Sequence, residues 1–113
     1  MTAGPERNVA IGLMLDLYGA LLTERQREVM DLYFNDDLSL SEVAEECGIT
    51  RQGVRDALIK GEEQLWDFEA HLKLLEKKKK TEENLRFVLE GLSTLSQKGL
   101  DTEALKEKIR ELL

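Results

Sequence analysis

Apolar residues recur along this chain at intervals of three and four, and no stretch of useful length alternates with period two. The pattern predicts an all-α protein. Val9, Leu13, Leu17 and Leu21, with Met14 and Tyr18 beside them, form the stripe of a first helix. A second helix opens at Thr23, where Thr23 and Gln26 have the spacing of a capping box, and its apolar row is Val29, Met30, Tyr33 and Phe34. Asn35, Asp36 and Asp37 end it in a polar turn. Ser41 is the expected cap of a short third helix, Glu42 to Cys47, closed by Gly48, and Thr50 caps a fourth.

From Val54 the spacing becomes 4, 3, 4, 3, 4, 3 through Leu58, Gly61, Leu65, Phe68, Leu72 and Leu75, a coiled-coil-like seam with a gap at Gly61. The run Lys77, Lys78, Lys79 and Lys80 follows. A fifth helix carries Leu85, Val88, Leu89, Leu92 and Leu95, closed around Gly99. A last helix after Asp101 shows Leu105, Ile109 and Leu112. The expected layout is a frayed N-terminus over residues 1–7, a helix-turn-helix domain over 8–60, and a long-helix arm with C-terminal helices over 61–113.

The motif lies between Leu40 and Leu58. A helix-turn-helix needs a small residue where its second helix crosses the first, a turn residue tolerant of positive φ, and apolar residues that close the angle. Ala44 supplies the first and Gly48 the second, while Val43, Cys47, Ile49, Val54 and Ala57 occupy inward offsets. In a DNA reader the start of the second helix enters the major groove, where Arg pairs with guanine and Gln with adenine. Arg51, Gln52 and Arg55 are therefore the candidate base contacts, with Lys60 beyond them and Arg25 and Arg27 as candidate phosphate contacts.

Charge changes that picture. The chain has 113 residues, with 23 acidic side chains against 16 basic ones, so it lacks the excess positive charge of a general nucleic-acid binder. Glu42, Glu45 and Glu46 crowd the supporting helix, and Asp56, Glu62 and Glu63 interrupt the reading one. The motif also serves as a compact core for protein contacts, so its use on DNA stays open.

The lysine run Lys77 to Lys80, with Lys73, has two readings: contact with a nucleic-acid backbone or acidic protein face, or the solvated C-terminal end of a long helix. The seam also has two, pairing with a second copy or cover by the chain's own C-terminal helices. Val54 and Leu58 serve the motif, so Leu65, Phe68, Leu72 and Leu75 with Trp66 are the candidate interface, and a homodimer is the preferred expectation.

The rest argues against chemistry. The single cysteine, Cys47, sits at an inward offset as a small buried hydrophobe and excludes an intrachain disulfide. His71 has no second histidine to complete a metal site and shares a helix face with Asp67. No phosphate loop or nucleophile-base arrangement is present, so neither catalysis nor a cofactor is expected. The apolar run Val9 to Leu22 is broken by Asp16 and falls short of the roughly 20 residues that cross a membrane. A soluble, cytoplasmic protein with no membrane partner is the expectation.

Leu21-Leu22-Thr23 with Gln26, then Tyr33, Asp36-Asp37, Ser39-Leu40, Glu42-Val43-Ala44-Glu45 and Thr50-Arg51-Gln52, resemble the YlxM family over roughly Leu13 to Leu75. These are small bacterial helix-turn-helix proteins similar to region 4 of sigma factors. The resemblance implies candidate contacts at Arg51, Gln52 and Arg55. It also implies a gene beside that of the signal recognition particle GTPase, and a role as a non-enzymatic adaptor or regulator in protein targeting. The implied partners are that GTPase, its RNA, or both. A sequence-specific transcriptional regulator that binds duplex DNA is the alternative. Gly53, Arg55 and Gly61 depart from residues more usual in the family. Two helical glycines cost roughly 1 kcal/mol each relative to alanine when exposed, so they imply either a close approach or a bend.

Overall fold

The computed structural model describes residues 5–113, which contain six α-helices and, among the described residues, no strand. They are α1 Pro5–Tyr18, α2 Glu24–Met30, α3 Leu40–Cys47, α4 Arg51–Leu72, α5 Leu74–Gln97 and α6 Glu103–Leu112. Residues 1–4 of the segment expected to be frayed lie outside the described residues. Residues 5–7 form the first turn of α1, and Arg7 pairs with Glu62 of α4. The chain divides into two compact units, one ending at Leu75 and the other Glu76–Leu113.

The first unit packs α1, α2, α3 and α4 around Ile11, Met14, Tyr18, Val29, Met30, Val43, Val54 and Leu65, none of which has any exposed surface. The inward row of α1 is Ile11, Met14, Leu15 and Tyr18, rotated from the stripe read off the sequence; Val9 and Leu21 are more than half exposed. A strict four-residue spacing drifts by roughly 40° per step around a helix, and α1 ends at Tyr18, so Leu21 lies beyond it in a 3₁₀ turn over Gly19–Leu21.

Local chemistry fixes the joints. Thr23 and Gln26 form the expected capping box at α2. Ser39, not Ser41, caps α3, because Ser39 has Glu42 three residues on: the Ser39 hydroxyl accepts from the Glu42 N–H at 3.1 Å and the Ser39 N–H donates to Glu42 Oε1 at 3.0 Å. Ser41 would face Ala44, which can return nothing. Gly48 closes α3 at φ 66°, with the Ile49 N–H donating to the Ala44 carbonyl. Between α2 and α3 the backbone widens into a π-helical turn, Asp31–Asn35, and Asp37 takes φ 56°.

The coiled-coil-like seam is one side of this core. Gly61 is buried, and a Cβ there would collide with Sδ of the fully buried Met30. The gap in the seam is thus filled by Met30, and α4 runs unbroken past both of its glycines. The helix ends at Lys73, in the left-handed region at φ 54°. At this corner the buried Tyr18 hydroxyl donates to Glu69 Oε1 at 2.7 Å and accepts from the Leu74 N–H at 2.9 Å. The Leu75 N–H donates to the same Glu69 oxygen at 2.9 Å. Two orphan N–H groups at the start of α5 are thereby satisfied from inside the first unit.

Leu65 and Leu75 are consequently spent in the chain's own core, and Phe68 lies against the Tyr18 ring with centroids 5.8 Å apart. Of the expected dimer interface only Trp66 and Leu72 remain exposed, and six residues apart they stand about 120° around the helix from each other. Ile59, seven residues before Trp66 and therefore on the same face, is exposed as well, so α4 keeps a short apolar strip outside its seam. The compact unit also reaches past the expected boundary at residue 60, because these residues pack on α1.

The second unit is a helical hairpin, with Gly99 at φ 91° in a turn where the Leu100 N–H donates to the Leu95 carbonyl. Thr102 before α6, and Lys106 and Ile109 on it, face inward, while Leu105 and Leu112 of the expected row are exposed. Thr102, the N-cap residue of α6, donates from Oγ1 to the Leu92 carbonyl at 3.1 Å, and Asp101 just before it accepts from the Glu103 N–H at 3.2 Å.

Tyr18→Phe strands the Leu74 N–H and removes a donor from Glu69, and should lower the stability of the first unit by about 1–3 kcal/mol in urea melts. Burial and Glu69 raise the Tyr18 pKa above its ordinary 10.0, so the folded state holds this proton longer than the unfolded one. That contribution is full below pH 10 and is lost above it, and the alkaline loss of stability should be shallower in Tyr18→Phe. Gly61→Ala should also destabilise, since overpacking against Met30, about 1–3 kcal/mol, outweighs the gain in helix propensity. Gly91→Ala, with open space around it, should raise helix stability instead.

Candidate nucleic-acid interface

The angle between α3 and α4 is set by the turn Gly48–Thr50. Val43 and Ala44 of α3 are buried beneath α4, and Cys47, Ile49 and Ala57 close the edges of the contact. Thr50 accepts from the Gly53 N–H at 2.9 Å and starts α4 abruptly, which leaves its first turn free of covering residues. The motif read from the sequence is present at the residues assigned to it.

Arg51, Gln52, Arg55 and Lys60 are all exposed. Arg51 and Arg55 lie one turn apart on one face, and neither has a salt-bridge partner among the described residues. Gln52 is engaged: its Nε2 donates to Asp56 Oδ1 at 2.9 Å, so reading a base would require breaking that bond. Lys60 stands about 140° around the helix from Arg55 and does not join the pair. The compact candidate is Arg51 with Arg55, flanked by the Gln52–Asp56 pair.

Both arginines of α2 are exposed, and each makes one local contact. Arg25 donates to the Cys47 carbonyl at 3.1 Å, placing a cation on the C-terminal end of α3, and Arg27 lies 3.9 Å from Asp31. Cys47 is half-buried, not sealed, with Sγ 3.6 Å from Glu28; burial first, then Glu28, pushes its thiol pKa up and makes it a poor nucleophile. His71 Nδ1 lies 2.8 Å from the Asp67 carbonyl and 3.6 Å from its carboxylate, a local contact within α4. Among the described residues no group of three or more His, Cys, Asp or Glu could hold a metal ion, and no helix is long and apolar enough to cross a membrane.

Lys77, Lys78, Lys79 and Lys80 are exposed in the second turn of α5. They do not end a long helix, because the backbone already breaks at Lys73, so the C-terminal dipole does not favour them. Four consecutive helix residues at roughly 100° intervals encircle the axis, and only two of them can face one flat partner at a time. The charge is divided unevenly along the chain. Residues 1–75 hold seven basic against fifteen acidic side chains, and residues 76–113 nine against eight. The exposed Glu42, Glu45 and Glu46 of α3 add repulsion beside any phosphate backbone near α4.

Sequence reasoning missed the Tyr18–Glu69 contact and the Arg7–Glu62 pair. Both link residues more than 50 positions apart, and no spacing rule within one helix could have signalled them.

Comparison with known proteins agrees with this architecture. The family model described as "Putative helix-turn-helix protein, YlxM / p13 like" matches residues 6–110. A UPF0122 protein of Clostridium botulinum (strain Alaska E43 / Type E3) is 41% identical over 108 residues, covering 95% of this chain and 99% of the relative. One from Clostridium kluyveri (strain NBRC 12016) is 42% identical over 90 residues, covering 80% and 81%. A third, from Desulforamulus reducens, is 48% identical over 67 residues, 59% of this chain. With the helix-turn-helix in place and the match running through all six helices, the chain belongs to the YlxM / p13-like helix-turn-helix family.

Proposed function

We propose that this protein is a non-enzymatic adaptor or regulator of the signal recognition particle pathway, and that it binds the particle GTPase, its RNA, or both. The observation that carries the reading is the contrast on the first unit. Two exposed, unpaired arginines start α4, yet the helix packed beneath them presents three carboxylates, on a unit with twice as many acids as bases. Such a surface suits a defined docking contact and gives up much of the counterion-release term on which duplex DNA binding depends. The resemblance to the YlxM family supplies the particle as the partner. Arg51 and Arg55 serve the contact from α4, and Lys77 to Lys80 offer a second, basic point for an RNA backbone. Binding would act by favouring one state of the GTPase or its RNA over another.

The pair Arg51 and Arg55 at a free helix start also favours a second reading, a DNA-binding transcriptional regulator. In that case Arg51→Ala should cost about 1–3 kcal/mol at one base position and relax specificity there.

The two readings separate in one titration at physiological salt, with labelled protein meeting the particle GTPase, its RNA and random duplex DNA. Saturable binding to a particle component, with a weak response to DNA, is expected. Strong, salt-sensitive binding to DNA and silence towards both particle components would overturn the adaptor reading. Replacing Lys77 to Lys80 by glutamine should weaken RNA binding, and an unchanged titration would remove RNA from the proposal.

A further inference from the structure

Away from the α4 start, three shallow depressions join into one groove between the N-terminal half of α1, the π-helical turn and α3. The first, about 510 Å³, lies over α1 and shares Asn8, Phe34 and Asp37 with a second of about 360 Å³. The second shares Leu38 and Glu42 with a third of about 280 Å³ that runs along α3. The groove's apolar floor is concentrated over α1 and the π-helical turn, where Val9 is 61% exposed and Leu13, Tyr33, Phe34 and Leu38 are half-buried, while the part along α3 is mostly polar. Tyr33 and Phe34 meet edge to face, with centroids 5.0 Å apart, and the widened backbone at Asp31–Asn35 sets them at the surface. The rim carries Asp16, Asp37, Glu42, Glu45 and Glu46, and no lysine or arginine lines any of the three depressions.

We propose that this groove is a docking site for a cationic amphipathic helix of another protein. The floor asks for an apolar stripe, and the rim, acidic on every side, asks for lysine or arginine beside it. Nucleic acid fits neither feature, since its phosphates would meet five carboxylates. A second copy of this chain is a poor occupant too, because its basic run circles a helix whose nearest apolar residue, Leu75, is buried. Ser39 hydrogen bonds hold the Glu42 carboxyl below its ordinary pKa, so the charge there persists into mildly acidic solution. The groove stands on its own geometry and does not depend on which assembly the protein joins.

The test uses the full chain and three labelled peptides of about 18 residues, five helical turns. One carries leucine at the i, i+3, i+4, i+7 positions and lysine elsewhere, the second replaces lysine with glutamate, and the third replaces leucine with serine. The leucine–lysine peptide should bind about tenfold or more tighter than either control. The combined variant Asp16→Asn, Asp37→Asn, Glu45→Gln and Glu46→Gln should weaken it by at least about tenfold. A charge-matched variant neutralised at Glu6, Glu24, Glu63 and Glu90, all outside the groove, should bind as the parent does. Equal binding of the serine–lysine peptide, or equal losses in both variants, would reduce the effect to net charge and overturn the site. Circular dichroism establishes that each variant is folded before it is compared.

Discussion

The buried hydroxyl of Tyr18 ties this structure together. It meets Glu69 near the end of α4 and the backbone N–H of Leu74 at the start of α5, and Glu69 in turn takes the N–H of Leu75. A helix start buried without such partners would be costly, because unpaired N–H groups in an apolar setting forfeit their hydration. Satisfying them lets the backbone turn at Lys73 and carries Leu75 back into the core. Most of the α4 seam is therefore covered within one chain, while the α4 start, Ile59 and Trp66 on its outer face, and the groove beside α3 stay exposed.

Much of this was legible in the sequence. Short-range chemistry read well: the capping box at Thr23, the glycine at 48, the cap at Thr50 and the inward set around Ala44 depend only on neighbours three or four residues away. The candidate arginines were legible for the same reason, since the start of α4 follows from its cap. Readings failed where two separated segments decide the answer. The seam from Val54 to Leu75 has the period of a coiled coil, but α1, α2 and α3 together cover it, and its gap at Gly61 is filled by Met30 of α2. The contact of Arg25 with the carbonyl of Cys47, 22 residues away, could not be read from spacing within α2. Ser39 and Ser41 differ as caps only through the residue three positions on, a distinction the sequence does contain.

The distribution of charge gives the molecule its functional character. A helix-turn-helix ordinarily presents a basic face to a polyanion, whereas here the motif sits in the more acidic unit and most of the basic side chains lie beyond it. Two arginines on an acidic background make a selective contact more readily than a strong one, because non-specific attraction is weak and the geometry must be right. The groove beside α3 carries the same logic with the sign reversed. Together they leave the first unit with an exposed arginine pair and an acidic groove.

Native-state hydrogen exchange at single-residue resolution tests the central claim most directly, that the first unit closes at Leu75 and covers most of the α4 seam. The account predicts that the amides of Leu74 and Leu75 exchange as slowly as those of Val54 and Leu58 in the core, because all four are freed only when the unit opens as a whole. Exchange at Leu74 and Leu75 as fast as at a solvent-exposed helix start, with Val54 and Leu58 still protected, would contradict it. The corner would then be open in solution, and the seam would be free for another partner.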